Sequence, residues 1–308
     1  MEEVHRDIVH TVLVPLTASI ATSWNLEPLQ LVPTLLVAYA YLRRTRTLKR
    51  RGQPVAGWRQ FLFWLGIGIV IAALNSPIDA LGEEHFFFVH MVQHVLLGDL
   101  APLCFVAGLT GPVLRPVLAL RPVDRLRFLT HPLVALPVWV IDLYVWHIPF
   151  LYTAALRHNS VHALEHILFF TCGGLMWSPV LETLPAPAWF GTGWKLGYIA
   201  LVRLLETVLG NVFIWSNSVF YSVYRHVHPL WGIGAVHDQN LAGVVMMAEG
   251  GLVTLGALAW LFLRMAAEGE LRQRLLEEGY DPVQVRRAVR YGRGQALREG
   301  TAPDSLNK

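Results

Sequence analysis

The sequence predicts an all-α bundle of about seven membrane-spanning helices, with the N-terminus outside and the C-terminus in the cytoplasm. Composition, recurring apolar runs and the alternation of basic residues between loops all point to it. Of the 308 residues, 54% are hydrophobic and 15% charged, and the mean hydropathy is +0.43. A soluble chain carries roughly a quarter charged residues. Apolar runs recur at 29–43, 58–75, 86–108, 131–147, 160–180, 195–215 and 240–263.

In chain order, the first run is followed by Arg43, Arg44, Arg46, Lys49, Arg50, Arg51 and Arg59, a density expected of a cytoplasmic loop. The second run starts at Trp58, and the loop after it, Ser76–His85, has no Lys or Arg. The third is followed by Arg115, Arg121, Arg125 and Arg127; the fourth, ending near Tyr144 and Trp146, only by Arg157. Lys195 alone marks the loop after the fifth run, and Arg225 alone the loop after the sixth. Eight basic residues follow Arg264. Trp177, Trp194, Trp215 and Trp260 lie near run ends, as interfacial anchors do.

Three regions follow: an extracytoplasmic or interfacial extension over 1–27, a membrane domain over 28–267 and a basic cytoplasmic tail over 268–308. Within the extension, Ile8–Ser23 is apolar but broken by Pro15 and lacks the basic start of a signal peptide. An interfacial helix, an eighth span and a signal sequence all remain open there. The tail is helical around Leu271–Glu278 and disordered over Gly300–Lys308. A pI near 9.0 arises from the cytoplasmic loops and tail, so it reports topology and not nucleic-acid binding. Cys104 and Cys172 stand in separate apolar runs and read as buried thiols.

On this topology, His131 is the only one of thirteen histidines on the cytoplasmic side. His90/His94 and His162/His166 are each spaced i, i+4, so each pair shares a helix face with about 6 Å of rise between members. With His147 at the outer end of the fourth run, they reach one depth. Ionisable groups inside a bilayer are expensive and mark functional sites; the bland alternative is interhelical hydrogen bonding. Imidazoles suit copper, zinc, iron and nickel, and no cysteine cluster points to structural zinc or iron–sulfur. Met91 offers a thioether, which favours Cu(I), although it lies about 100° round the helix from His90. Gln93 and Glu165 are placed to orient ligands, Asp142 lies about a turn below His147, and Asp238 with Gln239 stands at the rim. For Asp238, capping its own helix is an equal alternative. Arg203 and Glu206, i, i+3, are expected to pair with each other. His162-Ala163-Leu164-Glu165-His166 also fits H-x-x-E-H, a weak pointer to a zinc peptidase.

The blocks His90-Met91-Val92-Gln93-His94-Val95-Leu96-Leu97 with Ala101-Pro102, Trp146-His147-Ile148-Pro149, and His162–His166 resemble segments of the CtaG-type cytochrome c oxidase assembly-factor family. So do Ser76-Pro77-Ile78-Asp79, Thr130-His131-Pro132-Leu133 and Asp238-Gln239-Asn240-Leu241-Ala242-Gly243, in order over roughly 25–265. Glu249 departs from that pattern, where an uncharged residue is expected. The resemblance implies a non-enzymatic, multi-pass protein of the bacterial plasma membrane that assembles haem–copper oxidase and delivers copper. Its partners would be the oxidase catalytic subunit and an extracytoplasmic copper donor. The expectation is copper, as Cu(I), held by His90, His94, His162 and His166 with His147 as fifth ligand. A haem-binding protein and a metal-free scaffold are the alternatives. Because neutral imidazole is the ligand, metal affinity is expected to fall as pH drops below about 6.5, which a titration of bound metal against pH measures.

Overall fold

A computed structural model describes residues 24, 26, 28–226, 232–290 and 292–299, so Ile8–Ser23 and Gly300–Lys308 lie outside the described residues. Every regular element among the described residues is helical. One compact unit comprises the described residues of 1–186 and 202–251, and a second those of 187–201 and 252–308.

In the first unit, α1 (Pro28–Arg50) is followed by α2 (Gly57–Asn75), the short α3 (Pro77–Glu84) and α4 (Phe87–Val95). The chain after α4 continues through a π-helical turn, Leu96–Leu100, into α5 (Ala101–Gly108). Two short helices, α6 (Gly111–Leu118) and α7 (Arg121–Arg125), and a 3₁₀ turn lead to α8 (Pro132–Trp146). The remaining long elements are reached through α9 (Pro149–Arg157): α10 (Asn159–Leu181), α11 (Thr192–Trp215) and α12 (Ala235–Glu277).

Among the described residues, five helices are long and apolar enough to cross a membrane: α2, the continuous Phe87–Gly108, α10, α11 and α12. A sixth arises if Arg121–Thr130 and α8, bent by 84°, form one span. The expected first run does form a helix, α1, but its Lys- and Arg-rich second half keeps it short of that test. The fourth run, at 15 residues, reaches only about 22 Å at 1.5 Å per residue, short of a 30 Å hydrocarbon core. The polarity of the bundle is inverted relative to a soluble protein. His90, His94, Asp99, His162, Glu165 and Gln239 are buried while Ile141, Ile167, Leu204 and Leu252 are exposed. Apolar surface of this extent suits lipid.

Backbone proximity sets the frame of the core. The position of a Cβ on Gly173 of α10 would lie 1.8 Å from the Gly98 carbonyl oxygen. Only glycine lets these two chains touch, as small residues do where membrane helices cross. Gly98 sits inside the π-helical turn, and Pro102 just beyond it has no N–H to offer that carbonyl in an α-helical ladder. Gly66 of α2 likewise meets the backbone at Ala101 and Phe105, and Gly108 meets Phe63. Beside them Tyr41 stacks on Phe63 at 3.5 Å and its hydroxyl donates to the Gly108 carbonyl. Arg59 donates to the carbonyls of Ala107 and Leu109, satisfying the end of α5.

In the second unit α12 runs on as one helix to Glu277, well past the apolar stretch. Leu275 then packs with Val285 and Ala288 of α13 (Pro282–Arg290) and Leu297 of α14 (Gly294–Arg298). Arg290 donates to the carbonyls of Pro187 and Phe190. The helix expected around Leu271–Glu278 is thus the end of α12 plus its turn, packed against α13 and α14.

Gly173→Ala is expected to destabilise the protein by about 1–3 kcal/mol, because the added methyl must push the two backbones away from each other. Gly68→Ala, with nothing within 4 Å of the new methyl, is expected to be neutral or mildly stabilising. Thermal unfolding of both variants in detergent separates the backbone contact at Gly173 from the gain in helix propensity common to both substitutions.

Candidate metal centre

The site is built on two helices. On α4, the i, i+4 spacing puts His90 and His94 on one face with ring centroids 4.2 Å apart. On α10, His162 and His166 do the same at 4.1 Å. The faces meet: His90 stacks on His162 at 5.5 Å, and His94 lies edge-on to His166 at 5.9 Å. Glu165, on the same turn of α10, sends its carboxylate between them, 3.7 Å from His94 Nε2 and 4.0 Å from His162 Nε2.

One ligand atom each from His90, His94, His162 and Glu165 lies within 4.8 Å of all the others. Tetrahedral ligands on a first-row metal stand about 3.4 Å apart, from bond lengths near 2.0–2.2 Å, so modest closure completes a coordination sphere. Both ring nitrogens of His90 and His94, Nε2 of His162 and both oxygens of Glu165 are buried without a hydrogen-bond partner. Such groups cost free energy in an apolar interior unless something binds them. A carboxylate among imidazole lone pairs is a receptor for a cation.

Supporting contacts aim these groups. His162 Nδ1 donates to Glu83 of α3 at 2.6 Å, which turns Nε2 inward. Carboxylates commonly hold metal-ligating histidines in this way. The backbone of α3 passes close enough to α4 that a Cβ on Gly82 would lie 2.9 Å from His90 Cα. Three tyrosines enclose the site. Tyr152 lies edge-on to His90, its hydroxyl meets that of Tyr224 at 2.9 Å, and Tyr224 donates to the Gly82 carbonyl. Tyr221 donates to the His147 carbonyl.

Other expected site residues fall elsewhere. His147 is outside the four-residue group: Nδ1 is 2.6 Å from the Leu143 carbonyl, and Nε2 is 3.4 Å from Met91 Sδ. His166 adjoins the group, but another side of it faces an apolar cavity of about 440 Å³ bordered by Leu97, Ile167 and Phe170. Gln93, expected to orient a ligand, donates instead to the Ala73 carbonyl and Asp79, tying α4 to α2 and α3. Asp142 accepts from Trp146. Asp238 caps a helix, but not its own. Its carboxylate accepts from the N–H groups of Phe87 and Phe88, the start of the helix that carries His90 and His94. Gln239 holds Phe220 and Ser218, and Asn240 donates to the carbonyls that end α11, at Phe213 and Ile214.

Asp99, Arg203, Glu206 and Glu249 form a second group of charged residues. Asp99 accepts from Trp177 and Glu206 from Trp139. Arg203 directs its donors to the carbonyls of Met246 and Met247 rather than being held by Glu206 alone. Glu249 joins Asp99 and Glu206 around a small cavity that also touches His94 and His147.

Reasoning from sequence missed Glu83 and the tyrosines. Their only signal was a loop with three acids and no Lys or Arg, and aromatic residues that look like interfacial anchors.

A family model described as cytochrome c oxidase caa3 assembly factor matches residues 39–268. Two curated proteins, from Mycobacterium bovis and Mycobacterium tuberculosis, each carry the description uncharacterized protein. Each is 25% identical over 251 residues, covering 74% of this chain and 37% of the relative. The chain therefore spans well under half the length of those relatives. No solved structure matches.

Glu83→Ala is expected to weaken metal binding by about 10- to 100-fold by releasing His162, while Glu83→Gln, which keeps an acceptor, retains most of it. Competition titrations with Cu(I), Cu(II) and Zn(II) on the purified variants read the difference.

Proposed function

The chain belongs to the cytochrome c oxidase caa3 assembly factor family, and from that premise we propose that it binds copper at the α4–α10 cluster and passes it to the oxidase catalytic subunit. The supporting observation is the buried set His90, His94, His162 and Glu165, whose ligand atoms lie within 4.8 Å of one another. Copper is cargo here, so the protein contributes ligands and a path and no catalytic step. Imidazole nitrogens bind either copper oxidation state. Glu165 balances the charge, which makes binding in a dry interior feasible. Glu165 takes the place expected of His166 as the fourth ligand, His147 as the expected fifth stands outside the set, and His166 stands beside it as the exit toward the bilayer.

In this proposal α1 and α8 complete seven spans, and the basic loops place the N-terminus outside and the tail in the cytoplasm. The cluster then lies toward the outer surface of the bacterial plasma membrane. An extracytoplasmic donor can load it there, and transfer to the oxidase proceeds laterally. Haem would need an apolar slot between facing imidazoles; here the facing pairs His90/His162 and His94/His166 stand 5.5 and 5.9 Å apart with the Glu165 carboxylate among them, an arrangement that favours a small cation. A peptidase role is disfavoured because Glu165 is fully buried and its carboxylate points at the same space as His94 and His162, where it serves as a ligand and not as a base.

The test is copper content and absorption spectrum of the detergent-purified protein, with oxidase activity in a deletion strain complemented by each variant. Wild type is expected to retain copper without a Soret band. His94→Ala and His162→Ala are expected to bind copper at least tenfold more weakly, with oxidase activity falling to the deletion level. Variants that restore full oxidase activity without holding copper would make the protein a metal-free scaffold.

A further inference from the structure

His147 and Met91 face each other in a way that neither side chain alone explains. His147 Nδ1 is 2.6 Å from the Leu143 carbonyl oxygen. A carbonyl only accepts, so Nδ1 carries the proton, and in the neutral ring Nε2 carries the lone pair. That lone pair points at Met91 Sδ, 3.4 Å away, and a thioether has no hydrogen to donate. Two lone-pair donors therefore meet in a buried setting, with Met91 wholly enclosed. The other way to satisfy the contact is a doubly protonated ring donating to sulfur. That would bury an imidazolium between Phe169 and Phe213, an expensive arrangement at membrane depth. A small cation between nitrogen and sulfur satisfies both.

We propose that Met91 Sδ and His147 Nε2 form a second metal subsite, selective for Cu(I) and placed next to the His90/His94/His162/Glu165 set. The inference rests on the copper reading of that set and adds a second station to it. A thioether–imidazole pair selects a soft monovalent ion, whereas three imidazoles and a carboxylate accept copper in either state and zinc as well. Bond lengths near 2.0 Å to nitrogen and 2.3 Å to sulfur give an N···S span of about 4.3 Å when the ion is two-coordinate and linear. The pair has to open by under about 1 Å from 3.4 Å. Room for this exists in a cavity of about 40 Å³ bordered by Met91, His94, Gly98 and His147. His94 belongs to the first set and also borders this cavity, so an ion moving between the stations keeps a ligand on the way. No redox step is involved: the ion enters and leaves as Cu(I).

The test is anaerobic Cu(I) titration of the full-length detergent-purified protein to saturation, with X-ray absorption at the copper edge. Wild type is expected to take up two Cu(I) per chain and to show a sulfur neighbour near 2.3 Å beside nitrogen and oxygen. Met91→Leu keeps the side chain's bulk. It is expected to lose the sulfur neighbour and half the bound copper while the nitrogen–oxygen component stays, which also shows that the variant is folded. Glu165→Gln is expected to diminish the nitrogen–oxygen component and leave the sulfur one. Saturated wild type with nitrogen and oxygen only, or a sulfur neighbour that persists in Met91→Leu, overturns the second subsite and leaves the first intact. Wild type that takes up no Cu(I) overturns the copper function itself, and the subsite with it.

Discussion

A carboxylate enclosed by imidazoles, with no hydrogen-bond donor for either oxygen, is the constraint around which this molecule is arranged. In a medium that solvates charge poorly, an ionised Glu165 is costly unless a cation or a proton neutralises it. The helices that carry the cluster are held by contacts that keep it from relaxing. Gly98 and Gly173 fix how closely α4 and α10 approach, Gly82 brings α3 against His90, and Glu83 sets the tautomer of His162. Together these contacts hold the four ligand atoms in one place, and in the copper-binding proposal they organise the site before an ion arrives. Preorganisation of this kind spares the ion the work of gathering its ligands.

The π-helical turn at Leu96–Leu100 belongs to the same logic. Such turns often mark functional positions in helices. Here the extra residue rotates the helix below His94 so that Asp99 reaches Trp177 while Gly98 still faces α10. The result is one transmembrane helix with two chemically different halves: an imidazole-bearing half and a half that carries a buried acid toward Glu206 and Glu249.

Much of this was readable from sequence because the informative patterns are periodic. The i, i+4 histidine pairs specify helix faces whatever else the chain does, and long apolar runs give α2 and α10 nearly to the residue and α11 to within three, whereas α12 extends from Ala235 to Glu277, well beyond the expected run. Failures came where tertiary contacts override local pattern. Gln93 looked like a ligand's support because it neighbours His94 in sequence, yet one residue on a helix is a 100° rotation, and it turned to Ala73 and Asp79. His147 shares the cluster's depth but not its direction, because the turn at Ile148-Pro149 and the bond to Leu143 aim it at Met91. The i, i+3 pairing of Arg203 with Glu206 was a sound local expectation, but the guanidinium directs its hydrogen bonds to carbonyl oxygens of a different helix, at Met246 and Met247. Glu83, four positions from any recognised block, acts through a contact spanning seventy-nine residues that no spacing rule encodes.

Asp238 grips α4 by two main-chain N–H groups rather than by side chains. It is therefore blind to what residues 87 and 88 are, so long as neither is proline. The two bonds themselves make no demand on the side chains at 87 and 88; Phe87 is constrained separately, by the rings of Tyr152, Phe213, Tyr221 and Tyr224 around it. The demand they make falls on the carboxylate at 238, and the helix it serves starts 151 residues away. An inherited restriction at the start of one helix thus enforces the placement of histidines on another. A survey of variation would register the two as independent, although a pair of hydrogen bonds makes them one feature.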